Sequence, residues 1–426
     1  METTKSHIAL LASPGMGHLI PVLELAKHLV SHQSFKVTVF VVATDHASLA
    51  NTHLLQSPAD SGDLLDIVLL PFIDVSDIGG PSVSFIATIV TTVLRSMPFL
   101  RSEISKMEFR PTALVVDLFG TDALEIADEY NMLKFVFIAS NAWFLAVMLC
   151  TPEIDRKEID EHVKNHELEP TTLKALRETK KVPIYPIGPL VRPIEKSVFG
   201  NEILAWLNKQ PKQSVIYVSF GSGGTLSAQQ VKELAWGLEL SQQRFVWVLR
   251  PPTENDAAGT FLALGNGSDA TLDYLPDGFP ARTQDRGLLV PMWAPQVEVL
   301  SHPSIGGFLT HCGWNSTMES IVNGVPMIAW PLYAEQKMNA SMLTEDIGAS
   351  IRVMAVESDA AVGREEIRSV VRKILVDRQG RNIRSRIKEL KDNAANALAK
   401  GGSSYNSMSQ VANICIQHLK TKASGS

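Results

Sequence analysis

Cysteine is scarce in this sequence of 426 residues, and the three cysteines form no pattern. Cys150, Cys312 and Cys415 stand far apart, without the close spacing of a zinc site or the density of a disulfide framework. This scarcity excludes a small secreted disulfide scaffold and a zinc-finger protein. A reducing compartment is expected, and we predict a cytoplasmic protein.

Long apolar runs are also missing. The first residues, METTKSHIALLA, lack the basic segment and the apolar core of a signal peptide. The most apolar later stretch, 133–150, is interrupted by Lys134, Ser140 and Asn141, which makes a transmembrane helix unfavourable there. We therefore expect no membrane span.

Charge of one sign is not concentrated anywhere in the chain. There are 39 basic and 45 acidic residues, the formal net charge is −6, and no basic block stands out. A nucleic-acid partner is therefore not expected. The turn PGMGH at 14–18 lacks the third glycine of a dinucleotide-binding fingerprint, and no acidic residue is placed for a ribose, which disfavours an NAD-dependent oxidoreductase.

Apolar residues, in contrast, make up 45% of the chain. This content and the length allow two domains with substantial cores. Short apolar runs alternate with segments of helical periodicity, which is the pattern of an α/β protein with parallel sheets covered by helices on both faces. The predicted strands are 7–12, 36–42, 66–70, 112–116, 135–139, 214–220, 245–249 and 305–309.

The stretch 293–336 reads WAPQVEVLSHPSIGGFLTHCGWNSTMESIVNGVPMIAWPLYAEQ. Its buried strand at 305–309 is followed by a polar turn and then by the start of a helix. The unpaired N–H groups at such a helix start lie at its positive end, so they suit a diphosphate without a metal. Trp293 suits stacking on a base, and Glu319 suits accepting hydrogen bonds from a ribose diol.

These polar residues also have structural explanations. Ser316 and Glu319 have the spacing of a capping box, which would satisfy helix N–H groups without any ligand. His311 at a strand end is compatible with an ordinary structural histidine. Single residues therefore leave both interpretations open, and the whole stretch has to be considered together.

The whole stretch resembles the signature box of plant family-one UDP-dependent glycosyltransferases, from WAPQ at its start through HCGWNS to EQ at its end. The resemblance implies hexosyltransferase activity and the GT-B fold, in which two Rossmann-like domains face each other across a cleft. It also implies the donor-binding residues. Trp293 and Gln296 would hold the uracil, Glu319 the ribose, His311, Asn315 and Ser316 the diphosphate, and Trp314, Glu335 and Gln336 the sugar hydroxyls.

Other segments resemble the same family. SPGMGHLIP, LVVDLFGTDA, YVSFGSGGTLS and PLYAEQKMNA are most similar to the branch that glucosylates phenols, hydroquinone and phenylpropanoids in plant secondary metabolism. Ser222, in the glycine-rich turn at 221–224, matches a diphosphate contact, although an ordinary strand-to-loop turn is the alternative. Gln336 at the end of the box favours glucose, so UDP-glucose and a small phenolic acceptor are the implied substrates.

His18 and Asp117 are the proposed catalytic pair. His18 follows the first predicted strand and Asp117 closes the fourth, and the carboxyl ends of parallel strands lie at one sheet edge. His18 would take the proton of the acceptor while Asp117 fixes the imidazole tautomer, and direct displacement would give an inverted, β-linked glucoside. The alternatives are a histidine bonded to backbone and an aspartate that caps a helix near Thr121. In the resembled family both positions are catalytic.

A metal is not expected in this mechanism. The chain contains no Asp-x-Asp, the pattern that holds a divalent metal against a sugar diphosphate in the other broad class of glycosyltransferase. Transfer without cofactor or metal is predicted, with the diphosphate charge neutralised by helix N-termini and by His311. The residue pattern does not decide between O-, N- and S-transfer.

An apolar acceptor pocket is predicted near the ends of the first, fourth and fifth strands. Flat phenols need apolar or aromatic walls, and such residues follow these strands. Core packing is the alternative, above all for the Trp143-Phe144 pair. The candidates are Met16, Leu118, Phe119 and Trp143, of which Phe119 best matches the family.

The expected domain organisation follows the composition. Residues 1–180 would bind the acceptor and 201–403 the UDP-sugar, with a linker at 181–200 that is stiffened by Pro183, Pro186 and Pro189. The helix expected at 404–420 would pack back on the first domain. We expect a monomer.

One departure from the family lies between Cys150 and Glu169. Several dozen residues, with a helix and a strand resembling AEGILVNTF, are expected there, yet only TPEIDRKEIDEHVKNHEL is present. No apolar run replaces the buried strand. The residues leave open whether the protein is naturally shortened, shortened by engineering, or longer in its full form. A UDP-sugar-binding protein with weak or no transferase activity is therefore the alternative function.

Overall fold

The computed structural model describes residues 6–42, 64–75, 77, 85–150, 182–194, 201–252, 273–354 and 361–424. Within these residues the chain forms two compact units. The first unit contains the described residues before 140, together with 185–190 and 397–424. The second contains 140–150, 182–184 and the described part of 191–396. Each unit is built on its own parallel sheet.

The sheet of the first unit has the described strand order β3-β2-β1-β4-β5. Its strands are β1 (His7–Ala12), β2 (Lys36–Val41), β3 (Leu65–Leu69), β4 (Ala113–Asp117) and β5 (Leu133–Phe137). Strands β1 and β4 are buried along their whole length, as expected for the centre of a parallel sheet. Strand β5 is partly exposed, and Val136 exposes 43% of its surface.

The sheet of the second unit has the described strand order β11-β10-β9-β6-β7-β8. Its strands are β6 (Val215–Ser219), β7 (Arg244–Leu249), β8 (Gly287–Pro291), β9 (Ile305–Thr310), β10 (Met327–Ala329) and β11 (Ser350–Arg352). The order reverses between β9 and β6, as it does between β1 and β4 in the first unit. In open α/β sheets, ligands bind outside the carboxyl ends of the strands at such switch points.

Helices flank both sheets. In chain order they are α1 (Met16–Gln33), α2 (Phe85–Lys106), α3 (Leu124–Glu129), α4 (Ala142–Cys150), α5 (Asn201–Leu207), α6 (Ala228–Ser241), α7 (Phe279–Thr283), α8 (Gln296–Ser301), α9 (Trp314–Asn323), α10 (Gln336–Ser341), α11 (Arg364–Leu375), α12 (Arg378–Leu398) and α13 (Ser403–Ser424).

Helical periodicity explains how α1 and α13 enter the core of the first unit. Leu19, Leu23 and Ala26 recur every three or four residues on α1 and are buried in that core. Met408 and Ala412 of α13 belong to the same core. Burying one methionine side chain contributes about 2 kcal/mol, so Met408 stabilises the packing of α13 in the first unit.

Two cores cover the opposite faces of the second sheet. Ile216 and Trp247 point into one of them, and Tyr217 and Phe308 point into the other. This alternation along β6 is the period of two that a β-strand imposes on its side chains. Apolar cores bury both faces of this sheet, so a ligand can reach polar side chains only at the ends of the strands. The candidate site lies at these ends.

Several boundaries and elements differ from the sequence predictions. The sequence pattern predicts one helix at 334–345, whereas the structure divides this segment into α10 and a π-helical turn, Met342–Asp346. The pattern also predicts a helix at 383–400, whereas α12 spans Arg378–Leu398, since its polar first turn carries no periodic apolar signal. Strands β8, β10 and β11 were missed. The predicted domain boundaries remain predictions, and the expected loss between Cys150 and Glu169 lies outside the described residues.

Candidate active site

The carboxyl ends of β1 and β4 bring His18 and Asp117 together. Leu11 of β1 lies opposite Val116 of β4, so the residues that follow these two positions emerge at the same edge of the sheet. Asp117 is the last residue of β4, and its side chain is 4% exposed. The Nδ1 atom of His18 lies 3.3 Å from Oδ2 of Asp117, so the two side chains form a pair across 99 positions of sequence.

The Asp117 carboxylate is fixed by further hydrogen bonds. The backbone N–H of Ser13 donates to Oδ2 at 3.0 Å, and its hydroxyl donates to Oδ1 at 2.5 Å. The N–H of Phe119 also donates to Oδ1, at 3.2 Å, so Asp117 caps the 3-10 turn Leu118–Ala123 as well as contacting His18. The capping explanation for Asp117 therefore holds, and it is compatible with the contact to His18. Ser13 was missed, although its place directly after β1 puts it beside Asp117.

This arrangement determines how His18 can act. A carboxylate beside Nδ1 favours the tautomer that carries its proton on Nδ1, which leaves the lone pair on Nε2. The His18 side chain is 22% exposed, so it is accessible while its carboxylate partner is buried. A histidine held in this way can accept a proton at Nε2, and the adjacent carboxylate stabilises the imidazolium that forms.

The predicted acceptor residues are distributed over both units. Leu118 and Phe119 are half-buried in the 3-10 turn that follows Asp117, and the Phe119 ring packs edge-on against His18 at a centroid distance of 5.0 Å. Met16 begins α1 and packs against the first core. Trp143 lies in α4 and belongs to the second unit. In the first unit the structure therefore brings an aromatic ring directly to the candidate base.

The polar turn after β9, residues 310–313, is called the histidine turn. Cys312 adopts a left-handed conformation with φ 64°, and its N–H donates to the hydroxyl of Thr310 at 3.2 Å. Gly313 is the N-cap residue of α9. The capping-box alternative for Ser316 is therefore wrong, because the helix already begins at Trp314. Trp314, Asn315 and Ser316 form its first turn, where backbone N–H groups lack helical partners.

Three predicted donor-binding residues form one hydrogen-bonded cluster. The Nε2 of Gln296 donates to the Ser316 hydroxyl at 2.8 Å and to Oε2 of Glu319 at 2.6 Å. Tyr217, which the sequence analysis missed, donates its hydroxyl to Oε1 of Gln296 at 3.4 Å. Burial raises the pKa of Tyr217, so it remains a neutral donor. Trp293, two residues before the N-cap of α8, is 56% exposed, which leaves its ring open to stacking.

His311 is confined between two glycines. A Cβ added to Gly221 would lie 2.5 Å from Cε1 of the imidazole, and one added to Gly313 would lie 2.4 Å from Nε2. The buried Nδ1 has no hydrogen-bond partner in the described part of the chain. Burial lowers the pKa of His311 to about 4, so the imidazole is neutral at pH 7. The expected positive charge at His311 is therefore corrected: the unliganded residue offers a neutral N–H.

This shift in pKa predicts that acid destabilises the protein through His311. The histidine pKa is 6.5 when unperturbed and about 4 in the folded chain, so below pH 6.5 protons bind preferentially to the unfolded state. Stability from this group is complete above pH 6.5 and is lost as the pH falls towards 4. We expect a loss of about 2 kcal/mol at pH 5. Urea unfolding at pH 7.5 and 5 should show this loss in the wild type and a smaller one in His311→Gln.

The remaining predicted donor residues lie at loop and helix starts. Ser222 is exposed in the turn after β6, and its carbonyl accepts a hydrogen bond from Arg250. Glu335 is the N-cap residue of α10. Gln336 is 4% exposed, and its Oε1 accepts the N–H groups of residues 332 and 333 at 2.9 and 3.1 Å. Its amide NH₂ is therefore the group suited to a sugar hydroxyl.

The described residues contain neither a metal-binding cluster nor a membrane-spanning helix. No group of three or more histidine, cysteine, aspartate or glutamate side chains among them is arranged to hold a metal ion. In the same part of the chain, no helix combines the length and the apolar character needed to cross a membrane. The prediction of transfer without a metal remains a prediction.

Comparison with known proteins gave consistent matches. The family model described as UDP-glucoronosyl and UDP-glucosyl transferase matches residues 192–390. UDP-glycosyltransferase 72E1 of Arabidopsis thaliana is 45% identical, covering 97% of this chain and 96% of that protein. Hydroquinone glucosyltransferase of Rauvolfia serpentina is 41% identical, covering 97% and 98%. The structure of Phytolacca americana UGT2 complexed with UDP-2fluoro-glucose and pterostilbene has 35% identity and a TM-score of 0.82, covering 97% and 100%.

The alignment lengths also show that the chain is shorter than its relatives. The alignment with the Arabidopsis protein spans 471 positions, whereas this chain has 426 residues. At least 45 positions of that relative therefore have no counterpart here. Almost the full length of each protein is nevertheless matched, so residues are absent within the aligned region.

Proposed function

Since the chain belongs to the UDP-glucoronosyl and UDP-glucosyl transferase family, as a plant family-one UDP-dependent glycosyltransferase, we propose that it glucosylates small phenols or phenylpropanoids. The family transfers a glycosyl group from a UDP-sugar to a small acceptor. The finer proposal is transfer of glucose from UDP-glucose to a hydroxyl group, with inversion at the anomeric carbon. The observation that carries it is the 3.3 Å contact between His18 and Asp117.

The proposed reaction needs one base and one well-held leaving group. The Nε2 of His18 takes the phenol proton while the phenolate oxygen bonds to the anomeric carbon and the bond to the UDP oxygen breaks. Asp117 stabilises the imidazolium without becoming protonated itself. Because the acceptor attacks directly, no second carboxylate is required as a nucleophile, in contrast to a retaining glycosidase.

Several features of the second unit support donor binding. The first turn of α9 offers backbone N–H groups to a diphosphate, and the neutral imidazole of His311 has a buried nitrogen without a protein partner in the described residues. Gln296 and Glu319 lie within hydrogen-bond distance of each other, so both could bind the same nucleoside. UDP-glucose would supply the reactive sugar, with Glu335 and Gln336 at its hydroxyls.

The phenolic acceptor is proposed from chemistry and from the relatives. Phe119 provides an aromatic wall against His18, and an aromatic edge contact suits a flat ring. One relative is named for hydroquinone, and the Phytolacca americana structure contains pterostilbene. We further propose a cytoplasmic monomer that uses no metal or cofactor.

The test is turnover of UDP-glucose over a panel of small phenols in the presence of EDTA. We expect phenol-dependent release of UDP and a product whose anomeric proton shows the large coupling of a β-glucoside in the NMR spectrum. An α-linked product would refute the inverting mechanism. Activity that requires an added divalent cation would refute transfer without a metal.

A second candidate function follows from the shortened chain. At least 45 positions of the Arabidopsis relative have no counterpart here, and the sequence analysis expects the loss between Cys150 and Glu169, in the acceptor-binding domain. A UDP-sugar-binding protein with weak or no transferase activity is the alternative. Binding of UDP by calorimetry without turnover of any phenol would favour it.

A further inference from the structure

A buried pair of asparagines lies beside the histidine turn. Asn141 is 2% exposed and Asn339 is fully buried, and both belong to the second unit. The Nδ2 of Asn141 donates to Oδ1 of Asn339 at 2.6 Å. The Nδ2 of Asn339 in turn donates to the carbonyl of Cys312 at 2.9 Å. The two amides therefore form a chain of hydrogen bonds that ends on the histidine turn.

The receiving carbonyl belongs to the strained residue of that turn. Cys312 has φ 64°, a conformation that a residue with a side chain rarely adopts without support from its surroundings. Thr310 accepts the Cys312 N–H, and Asn339 binds its carbonyl, so the residue is held from both sides. The peptide between Cys312 and Gly313 therefore has a fixed orientation. This peptide joins His311 to the first turn of α9.

Asn141 connects this turn to a second element. Its Oδ1 accepts the N–H of Phe144 at 2.7 Å, which caps the start of α4, the helix that carries Trp143. The oxygen of the amide thus holds α4, and its nitrogen holds Asn339. Nothing in the sequence distinguishes Asn141 from an ordinary helix cap, because Asn339 lies 198 positions further along the chain.

We propose that Asn339 and Asn141 are positioning residues that hold the histidine turn in the conformation that binds the diphosphate, with Asn141 acting through Asn339. The inference rests on the proposed function, since it assumes that UDP binds at this turn. Removal of either amide leaves a buried polar group without its partner, and the turn can then relax from the left-handed conformation. Donor affinity, rather than the chemical step, should respond.

The experiment measures the Kd for UDP by calorimetry in the full chain. Asn141→Ser keeps a capping oxygen for α4 but cannot reach Asn339, and we expect about fivefold weaker binding. Asn339→Ala should weaken binding by about tenfold or more. If Asn141 acts through Asn339, adding Asn141→Ser to Asn339→Ala should change the Kd by less than about twofold. The KM for UDP-glucose should rise in parallel, with kcat at saturating donor within about twofold.

Gln230 supplies a matched control. Its buried amide also makes two hydrogen bonds in the second unit, both to the backbone of Val362 and away from the histidine turn. Gln230→Ala should lower the Tm and leave the Kd for UDP unchanged. If the variants act only through a general loss of stability, UDP binding should weaken in every variant, Gln230→Ala included, in proportion to the decrease in its Tm. That result would overturn the inference.

The outcomes separate the two proposals. If the wild type does not bind UDP, the proposed function fails and the inference falls with it. If the wild type binds UDP and folded Asn141→Ser binds it equally well, the inference alone is wrong. The Kd of Asn141→Ser for UDP tests the inference even if Asn339→Ala does not fold.

Discussion

Replacing His18 by alanine is expected to lower kcat for glucosylation of a neutral phenol by about 10²–10⁴-fold. The reason is that no other group takes the phenol proton as the oxygen attacks the anomeric carbon. Donor binding should be unaffected, because the residues proposed to hold UDP belong to the second unit. The measurement is kcat at saturating phenol and UDP-glucose, together with the Kd for UDP.

His28→Ala is the control for the loss of a histidine from the same helix. His28 lies ten positions after His18 on α1 and stacks on His32 at a centroid distance of 4.1 Å. Its replacement should change kcat by less than about twofold, since no step of the reaction uses it. A His18→Ala enzyme with wild-type kcat for a neutral phenol would remove His18 from the mechanism.

Replacing Gly313 by alanine is expected to weaken UDP binding by at least about tenfold. The added methyl group would lie 2.4 Å from Nε2 of His311, well inside van der Waals contact. The imidazole cannot turn away freely, because the backbone of Gly221 lies against it on another side. Either the ring or the first turn of α9 must move, and both are proposed to bind the diphosphate. Calorimetry with UDP measures the effect.

Gly363→Ala separates this clash from the general effect of alanine at a helix start. Gly363 is the N-cap residue of α11, and its backbone angles, φ −73° and ψ 150°, nearly match φ −60° and ψ 142° at Gly313. A methyl group there would meet no atom of the described residues within 4 Å. Both variants should lose similar helix-capping stability, but only Gly313→Ala should lose UDP affinity. Equal Kd values would show that the contact with His311 is unimportant.

The meeting of His18 and Asp117 could be predicted because it follows from topology. Asp117 closes one apolar run that forms a parallel strand, and His18 follows another after a short turn. The carboxyl ends of such strands share an edge. Ser13 was within reach of the same reasoning, since it follows β1 and donates two hydrogen bonds to Asp117. Its role, however, is not visible in the sequence, because a serine after a strand more often belongs to an ordinary turn.

Other contacts between side chains distant in sequence could not be predicted. Tyr217 was interpreted only as part of a buried strand, yet its hydroxyl lies at the Gln296 cluster. No sequence pattern links Asn141 to Asn339, and their contact depends on how the start of α4 packs against α10. The neutral state of His311 was also missed, because its pKa depends on burial, which the sequence does not encode locally.

The long apolar strands were predictable, and the short elements were not. Strands β1 and β6 have continuous apolar runs that are typical of a buried parallel strand. Strands β10 and β11 have three residues each, which is too few for a periodic signal. Strand β8 begins with glycine and ends with proline, residues that indicate a connection. Helix boundaries shifted where first turns were polar, as at α12.

The most direct test of the central claim compares two acceptors of different acidity at one pH. A general base is needed for a phenol that is neutral in solution and is dispensable for one that is already ionised. The kcat/KM ratio of wild type to His18→Ala should therefore be at least about 10² with hydroquinone and fall below about 10 with a nitrophenol ionised at that pH. An equal ratio for both acceptors would contradict proton abstraction by His18.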